Sequence, residues 1–467
     1  MTRHWKNKWV WKDYFKQIKK DIDFINKWLL SAMAPIIVYI SIHSYESSYV
    51  WIVFLITWLL FLLIFQPKIL CYSIFGIMFY LFIYWLKRPL LLDENEYLVS
   101  GKVVKITFKY TIISVNNNRM VIDNINLRGY NYDELCSLTL RGRITDSLSS
   151  IALKPSYVYQ NNIHNYIINP KIIRIDKPYF SLNKAIEKWY LSKNDLFQQY
   201  FPTIVLGKYG YGDQHIENIK KLGIVHLFAI SGFHFDIIFK ASDKIMQKVK
   251  IKEKIGVPIV ILVSFLYITL LTNWVSPLRA WIMFIYKKYS KEGQKNKSMN
   301  GMLLALFITF LINPIVLLTY GLLLSYYATF CVLVFAKVKY FKHKKLSIFN
   351  KLITIMIIQA IMTPFTANLG SFIAPLAFIY VFLLSPLIEF TFIVSIIFFW
   401  WRDGLNYLYF SLDKIMYWSQ YINFNIILTF KFNWNLLTIH LLTCTYFIVI
   451  GKFIIGWRNE IKKSQKA

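Results

Sequence analysis

The side chains with the most chemistry in this chain stand in its apolar part. Residues 223 to 236 read GIVHLFAISGFHFD, which sets His226, Ser231, Gly232, His234 and Asp236 among side chains that otherwise suit lipid. Two imidazoles, a hydroxyl and a carboxyl could serve as a nucleophile with its base, as metal ligands, or as the hydrogen-bonding groups of a polar path. On one regular helix, at about 100° per residue, His226 and His234 stand about 80° apart and Asp236 about 200° beyond His234, so the three share no ligand face. The Ser-Gly pair is instead a cause of a helix break, and a broken helix inside a membrane is tolerable only beside protein or a water-filled cleft. A polar lining is therefore expected, against the plainer reading in which each histidine satisfies backbone groups between helices.

A second group lies in NWVSPLRAW, residues 273 to 281. Ser276 suits a helix N-cap, Pro277 the first helical position and Arg279 the first turn. A cation there opposes the helix dipole, and burying it at a bilayer centre costs at least about 2.5–3.5 kcal/mol. The arrangement calls for an anion, and arginine beside helix-start N–H groups suits a phosphate; the alternative is snorkelling to an interface. In TYGLLLSYYATF (319–330), Gly321, Ser325, Ala328 and Thr329 read as close helix packing, while Pro364 and Asn368 in QAIMTPFTANLGSF (359–372) are expected to break the following span. Neither G-x-S-x-G nor H-E-x-x-H occurs, and the four cysteines stand apart without C-x-x-C spacing. No catalytic residue, metal site or cofactor is expected.

The elements that must position these groups follow from composition. The 467 residues are 56% hydrophobic and 18% aromatic, above the roughly 45–50% apolar content of soluble domains. Long runs almost free of charge (28–45, 49–65, 69–86, 299–336 and 372–401) read as membrane spans. The net charge of +30 is distributed in clusters between those runs, as the positive-inside bias requires, with a remainder that permits an anionic partner. Five parts result: a basic cytoplasmic N-terminus (1–27), three transmembrane helices (28–87), a β-rich segment (88–190), a second membrane part (191–451) and a basic tail (452–467). The N-terminus carries eight Lys or Arg and three Asp and has no small-residue cleavage site, so the first span is expected to be retained. The tail is expected in the cytoplasm, and 404–432 reads as an amphipathic helix lying at the interface.

Residues 88–190 alternate in short runs, YLVSGKVVKITF, YTIISV, RMVIDNINL and LCSLTLRGRIT, with a polar turn at 116–118. Four or five strands suit a small barrel or sandwich, an OB-like barrel among the candidates. Three crossings before it place it outside the cell. With 14 Lys or Arg against 9 Asp or Glu, it is compatible with weak nucleic-acid binding through Lys102, Lys105, Lys109, Arg119, Arg128, Arg141 and Arg143, with Tyr110, Tyr130 and Tyr132 available to stack on bases. The alternative is a solvated domain from a lysine-rich proteome.

The run GKYGYGDQHIENIKKLGIVHLFAISGFHFDII, then SPLRAWIM, NPIVLLTYGLLLSYYATF and QAIMTPF in that order, resembles the ComEC family of competence proteins, inner-membrane channels for DNA uptake. The resemblance covers about residues 195–450, and the three initial spans followed by a small β-domain are similar to that family's N-terminal organisation. Two departures stand out: the chain stops at Ala467 without a metallo-β-lactamase-like domain or its H-x-H-x-D-H cluster, and FIYVFLLSP lacks an expected Asn. The resemblance implies a bacterial, multi-pass cell-membrane protein of about 10–12 transmembrane helices with one extracytoplasmic OB-like domain. It further implies single-stranded DNA as the substrate, and as partners the lipid bilayer, a separate nuclease and a cytoplasmic DNA translocase. The passage would be lined by His226, Ser231, Gly232, His234, Asp236 and Arg279 with the aromatics Phe228, Phe233 and Trp281. Two other classes compete: a small-solute or lipid transporter, and an intramembrane hydrolase or acyltransferase using the same histidines.

Overall fold

The computed structural model describes residues 27–43, 48–86, 96–106, 109–115, 118–127, 130, 132, 136–145, 163–177, 182–208, 214–228, 230–271, 273–290, 297–335, 347–370, 372–428, 432 and 435–445. The basic N-terminus, the tail, Arg128, Asn117 and most of the lysine-rich loops lie outside them. Helices α1 (Lys27–His43), α2 (Ser48–Phe65) and α3 (Pro67–Leu86) come first. The outer faces of α2 and α3 expose Ile64, Phe75, Phe79 and Trp85, a surface that suits lipid and not water.

The alternating segment forms a closed five-stranded barrel: β1 (Glu96–Ile106), β2 (Tyr110–Val115), β3 (Asn118–Asp123), β4 (Ser137–Thr145) and β5 (Ile163–Asp176), in the order β1-β2-β3-β5-β4. Only the β3–β5 pairing is parallel. Inward residues such as Val103, Ile113, Met120, Leu138, Leu140 and Ile167 fill it, as period-two alternation requires. Two expectations change in detail: Asn118 starts β3 instead of ending a turn, and the NINL end of the third run is a 3₁₀ turn. β5 contains Asn169 with φ 48° and Pro170, and the β4–β5 register shifts between Arg141 and Arg143. Gly142 sits opposite this bulge, where a Cβ would come within 2.7 Å of Ile167 Cγ2 and 3.3 Å of Pro170 Cα; only glycine fits so close an approach.

The helical part continues with α4 (Leu182–Leu191), α5 (Asp195–Phe201, prolonged by a π-turn to Leu206), α6 (Gln214–Lys221), α7 (Val225–Phe228), α8 (Gly232–Lys248), α9 (Glu253–Leu270) and α10 (Val275–Tyr289). Then come α11 (Lys297–Ile312), α12 (Tyr320–Phe335), α13 (Ser347–Gly370), α14 (Ala377–Ile397), α15 (Arg402–Ile422) and α16 (Asn435–Thr445). By length and composition α9, α13 and α14 can cross a membrane, and α1, α2, α3, α11, α12 and α16 contain shorter apolar helices. This is a membrane protein. Helix α15 buries Leu405, Tyr409, Leu412 and Met416 and exposes Tyr407, Trp418 and Tyr421, the amphipathic helix expected from the sequence.

Helix α10 sits where two cores meet. Its Val275, Leu278 and Ile282 join a cluster with α1, α11 and α12, whereas Ala280 and Phe284 join one with α8 and α9. Being covered on opposite sides by protein, this 15-residue helix can hold an arginine that lipid would not accept. Pro364 does not break α13, which continues to Gly370. Its polar groups also meet neighbouring elements: His440 Nε2 lies 3.0 Å from the Ile361 carbonyl, and Asn368 exchanges two 2.7 Å hydrogen bonds with the Phe432 backbone.

Candidate functional site

The site is built on the start of α8. Helix α7 ends at Phe228 and α8 begins at Gly232, so the chain breaks where the Ser-Gly pair predicts. Ser231 is the N-cap in extended backbone conformation; its Oγ accepts the Phe233 N–H at 3.2 Å, and His234 Nδ1 accepts the Ser231 N–H at 3.1 Å. This is a capping box with histidine in the place usually held by Glu or Gln. An Nδ1 that accepts must be unprotonated, so the neutral ring carries its proton on Nε2. The ring edge meets Phe392 of α14, centroids 4.6 Å apart. His234 thus fixes the start of α8 from both sides.

Exposure divides the predicted residues. Phe228, Gly232 and His234 are buried, while His226, Phe233 and Asp236 are exposed. Trp281 is half-buried, its indole N–H donating to the Ile261 carbonyl at 3.0 Å and its ring 5.3 Å from Phe265.

Arg279 joins this group across space. A Cβ on Gly232 would lie 2.2 Å from Arg279 Nη2, so the guanidinium occupies the volume a side chain would need. Its Nη1 donates to the carbonyl and, at 2.7 Å, to the hydroxyl of Ser325 on α12, and its plane lies over Tyr326, Cζ 5.6 Å from the ring centroid. Ser276 does not cap α10. Trp274 is the N-cap, with no side-chain hydrogen bond, and the Ser276 hydroxyl donates to Ser325 Oγ at 2.7 Å. Arg279 consequently sits beyond the first turn, and Ser325, a packing residue by sequence, is the acceptor that orients it.

One ionisable residue escaped the sequence reading. Glu389, near the middle of α14 and one turn before Phe392, accepts the Ser385 hydroxyl at 2.5 Å. Its signal was present, since no other charged residue occurs between 372 and 401.

The barrel's basic residues do not converge on one point. Register places Arg141 beside Leu98 of β1 and Lys171 of β5, and Lys102 opposite Ser137 on the same outer face; Lys102, Arg141, Arg143 and Lys171 are exposed. Arg174 on β5 pairs with Asp176 at 2.7 Å. Arg119, on β3, is half-buried, and burial lowers its guanidinium pKa. Lys109 is exposed just before β2, Lys105 lies in β1, and Arg128 is outside the described residues. Tyr130 is exposed, whereas the Tyr132 hydroxyl lies 2.8 Å from Thr111 Oγ1 and burial raises its pKa. Among the described residues no group of three His, Cys, Asp or Glu could hold a metal ion.

Residues 204–458 match the family model described as Competence protein. The chain is 30% identical over 181 residues to an uncharacterized protein of Mycoplasma genitalium, MG316, covering 38% of this chain and 46% of that one. It is 26% identical over 228 residues to the Mycoplasma pneumoniae homologue, covering 48% of this chain and 58% of the relative. It therefore spans about half the length of the curated relatives it matches. No solved structure matches.

Proposed function

This chain belongs to the competence protein family, and from that premise we propose that it acts in DNA uptake, as the multi-pass channel through which one DNA strand crosses the cell membrane. The observation that carries this reading is the junction of Gly232 with Arg279, which places a permanent cation against a helix start deep among apolar helices. A polyanion crossing a membrane needs fixed positive charge and hydrogen-bond donors where water is scarce. The break before α8 offers these: His226, Phe233 and Asp236 are exposed around it, and His234 fixes the helix start, while Phe228 and Trp281 pack in neighbouring apolar contacts. An exposed ring such as Phe233 can stack on a base whatever its sequence.

The barrel is, in this reading, an extracytoplasmic OB-type module: five strands, closed in the order β1-β2-β3-β5-β4 with one parallel pair, support that assignment. Its β1–β4–β5 face, through Lys102, Arg141 and Arg143, attracts DNA weakly. Strand degradation and pulling fall to a separate nuclease and a cytoplasmic translocase. The decisive experiment is deletion of the gene, scored for nuclease-protected, labelled DNA inside the cell; the reading requires its loss, and unchanged internalisation refutes it. Topology is checked by thiol labelling of Lys102→Cys after replacement of the native cysteines: labelling from outside the cell supports the barrel's position, and labelling only from the cytoplasmic side overturns it.

A further inference from the structure

The guanidinium of Arg279 is used on one edge only. Nη1 serves Ser325, whereas Nε is buried and has no hydrogen-bond partner among the described residues, and Nη2 lies against Gly232 in the first turn of α8. The residue is 7% exposed, and its buried Nε–H is desolvated without compensation, which is costly for a charged donor; Nε and Nη2 together form the remaining edge. This edge is the planar fork that binds two oxygens of an oxyanion at once. It faces the N-terminal end of a 17-residue helix, where the backbone dipole also favours negative charge.

Asp236 is one turn further along α8, exposed, and within electrostatic reach of Arg279, Lys240 and Lys287. Glu389 of α14 is in turn within reach of Lys240, so three cations and two carboxylates surround the mouth of the junction and leave it positive by one charge. We propose that the Nε–Nη2 edge of Arg279 and the first turn of α8 form a subsite for one phosphodiester group of a nucleic-acid strand, with the Asp236 carboxylate as the competing anion that keeps occupancy transient. This deepens the channel reading and rests on it. A passing phosphate displaces the field of Asp236 from the fork, and Asp236 then helps to expel it, so that the strand moves instead of remaining bound. Gly232 is the positioning residue of the subsite, because a side chain there would require the guanidinium to shift from its place against the helix start.

The test uses the full chain in phosphatidylcholine nanodiscs and fluorescent oligodeoxythymidine at low salt. Arg279→Lys should weaken binding about tenfold, since charge survives but the two-donor edge does not, and Gly232→Ala should weaken it similarly. Asp236→Asn should tighten binding severalfold, a gain that misfolding cannot produce. Unchanged affinity in Arg279→Lys, or weaker binding in Asp236→Asn, overturns the proposal. A parallel arm replaces part of the lipid with phosphatidylglycerol: retention of that lipid that follows the three variants while oligonucleotide affinity does not assigns the fork to a headgroup and overturns the nucleic-acid subsite. Failure of the channel reading is separable. Cells lacking the protein that still internalise DNA refute the channel whatever the nanodiscs show, and loss of uptake with variant-insensitive oligonucleotide binding refutes only the subsite.

Discussion

On the barrel, Lys102, Arg141 and Arg143 stand in solvent on neighbouring strands, whereas Arg279 lies between α8 and α12 with one edge of its guanidinium tied to Ser325. The first group is exposed and screened; over a Debye length of about 8 Å at physiological salt each charge counts little alone. The second is a single fixed charge whose position is set by Gly232, Ser325 and Tyr326. The difference teaches that attraction can be built from number and spread, while recognition in a dry place depends on geometry. Substitutions in the two regions should therefore fail differently.

The strongest break of this contrast is Gly232→Ala. The added methyl would overlap Arg279 Nη2, so the guanidinium must leave its place against the start of α8. Internalised DNA should fall to background in this variant while surface-bound DNA stays unchanged, measured at matched protein levels. Arg279→Ala should match it and abolish internalisation, and Arg279→Lys should impair it less, because charge persists without the fork. A smaller effect is expected at His234. His234→Ala removes the acceptor of the Ser231 N–H and should destabilise the start of α8 by about 1 kcal/mol, read as a lower midpoint of thermal unfolding in detergent; His234→Gln, which keeps a capping-box acceptor, should recover much of that loss. The smallest effect belongs to the barrel. Replacing both Arg141 and Arg143 by Ala should weaken binding of single-stranded DNA uniformly across sequences and reduce the salt slope by roughly 1.4, about 0.7 for each lost phosphate contact, while leaving the internalisation of bound strands intact.

Much of this was readable locally. The Ser-Gly break, the amphipathic α15 and four of the strands follow from short-range patterns that tertiary contacts did not override. Arg279 was conspicuous because a charge in an apolar run needs a reason. Its partner was not conspicuous: Ser325 is 46 residues away, and a serine in an apolar helix gives no sign of which neighbour it will meet. Ser276 illustrates the converse, since its Ser-Pro context is a good cap locally, yet α10 begins two residues earlier than that cap implies and the hydroxyl turns to Ser325. β5 is not among the alternating runs, and its Asn169-Pro170 pair is absorbed as a bulge opposite Gly142.

The most direct test of a strand passing the Gly232–Arg279 junction is chemical proximity during uptake. Cells expressing the chain with its four cysteines replaced and a single cysteine at Phe233, exposed beside the junction, would take up labelled DNA carrying thiol-reactive bromoacetyl groups on its backbone. The account predicts a covalent adduct between the entering strand and Phe233→Cys, and none with Met78→Cys on the exposed face of α3. Undiminished internalisation without any adduct at position 233, or equal adducts at both positions, would contradict it.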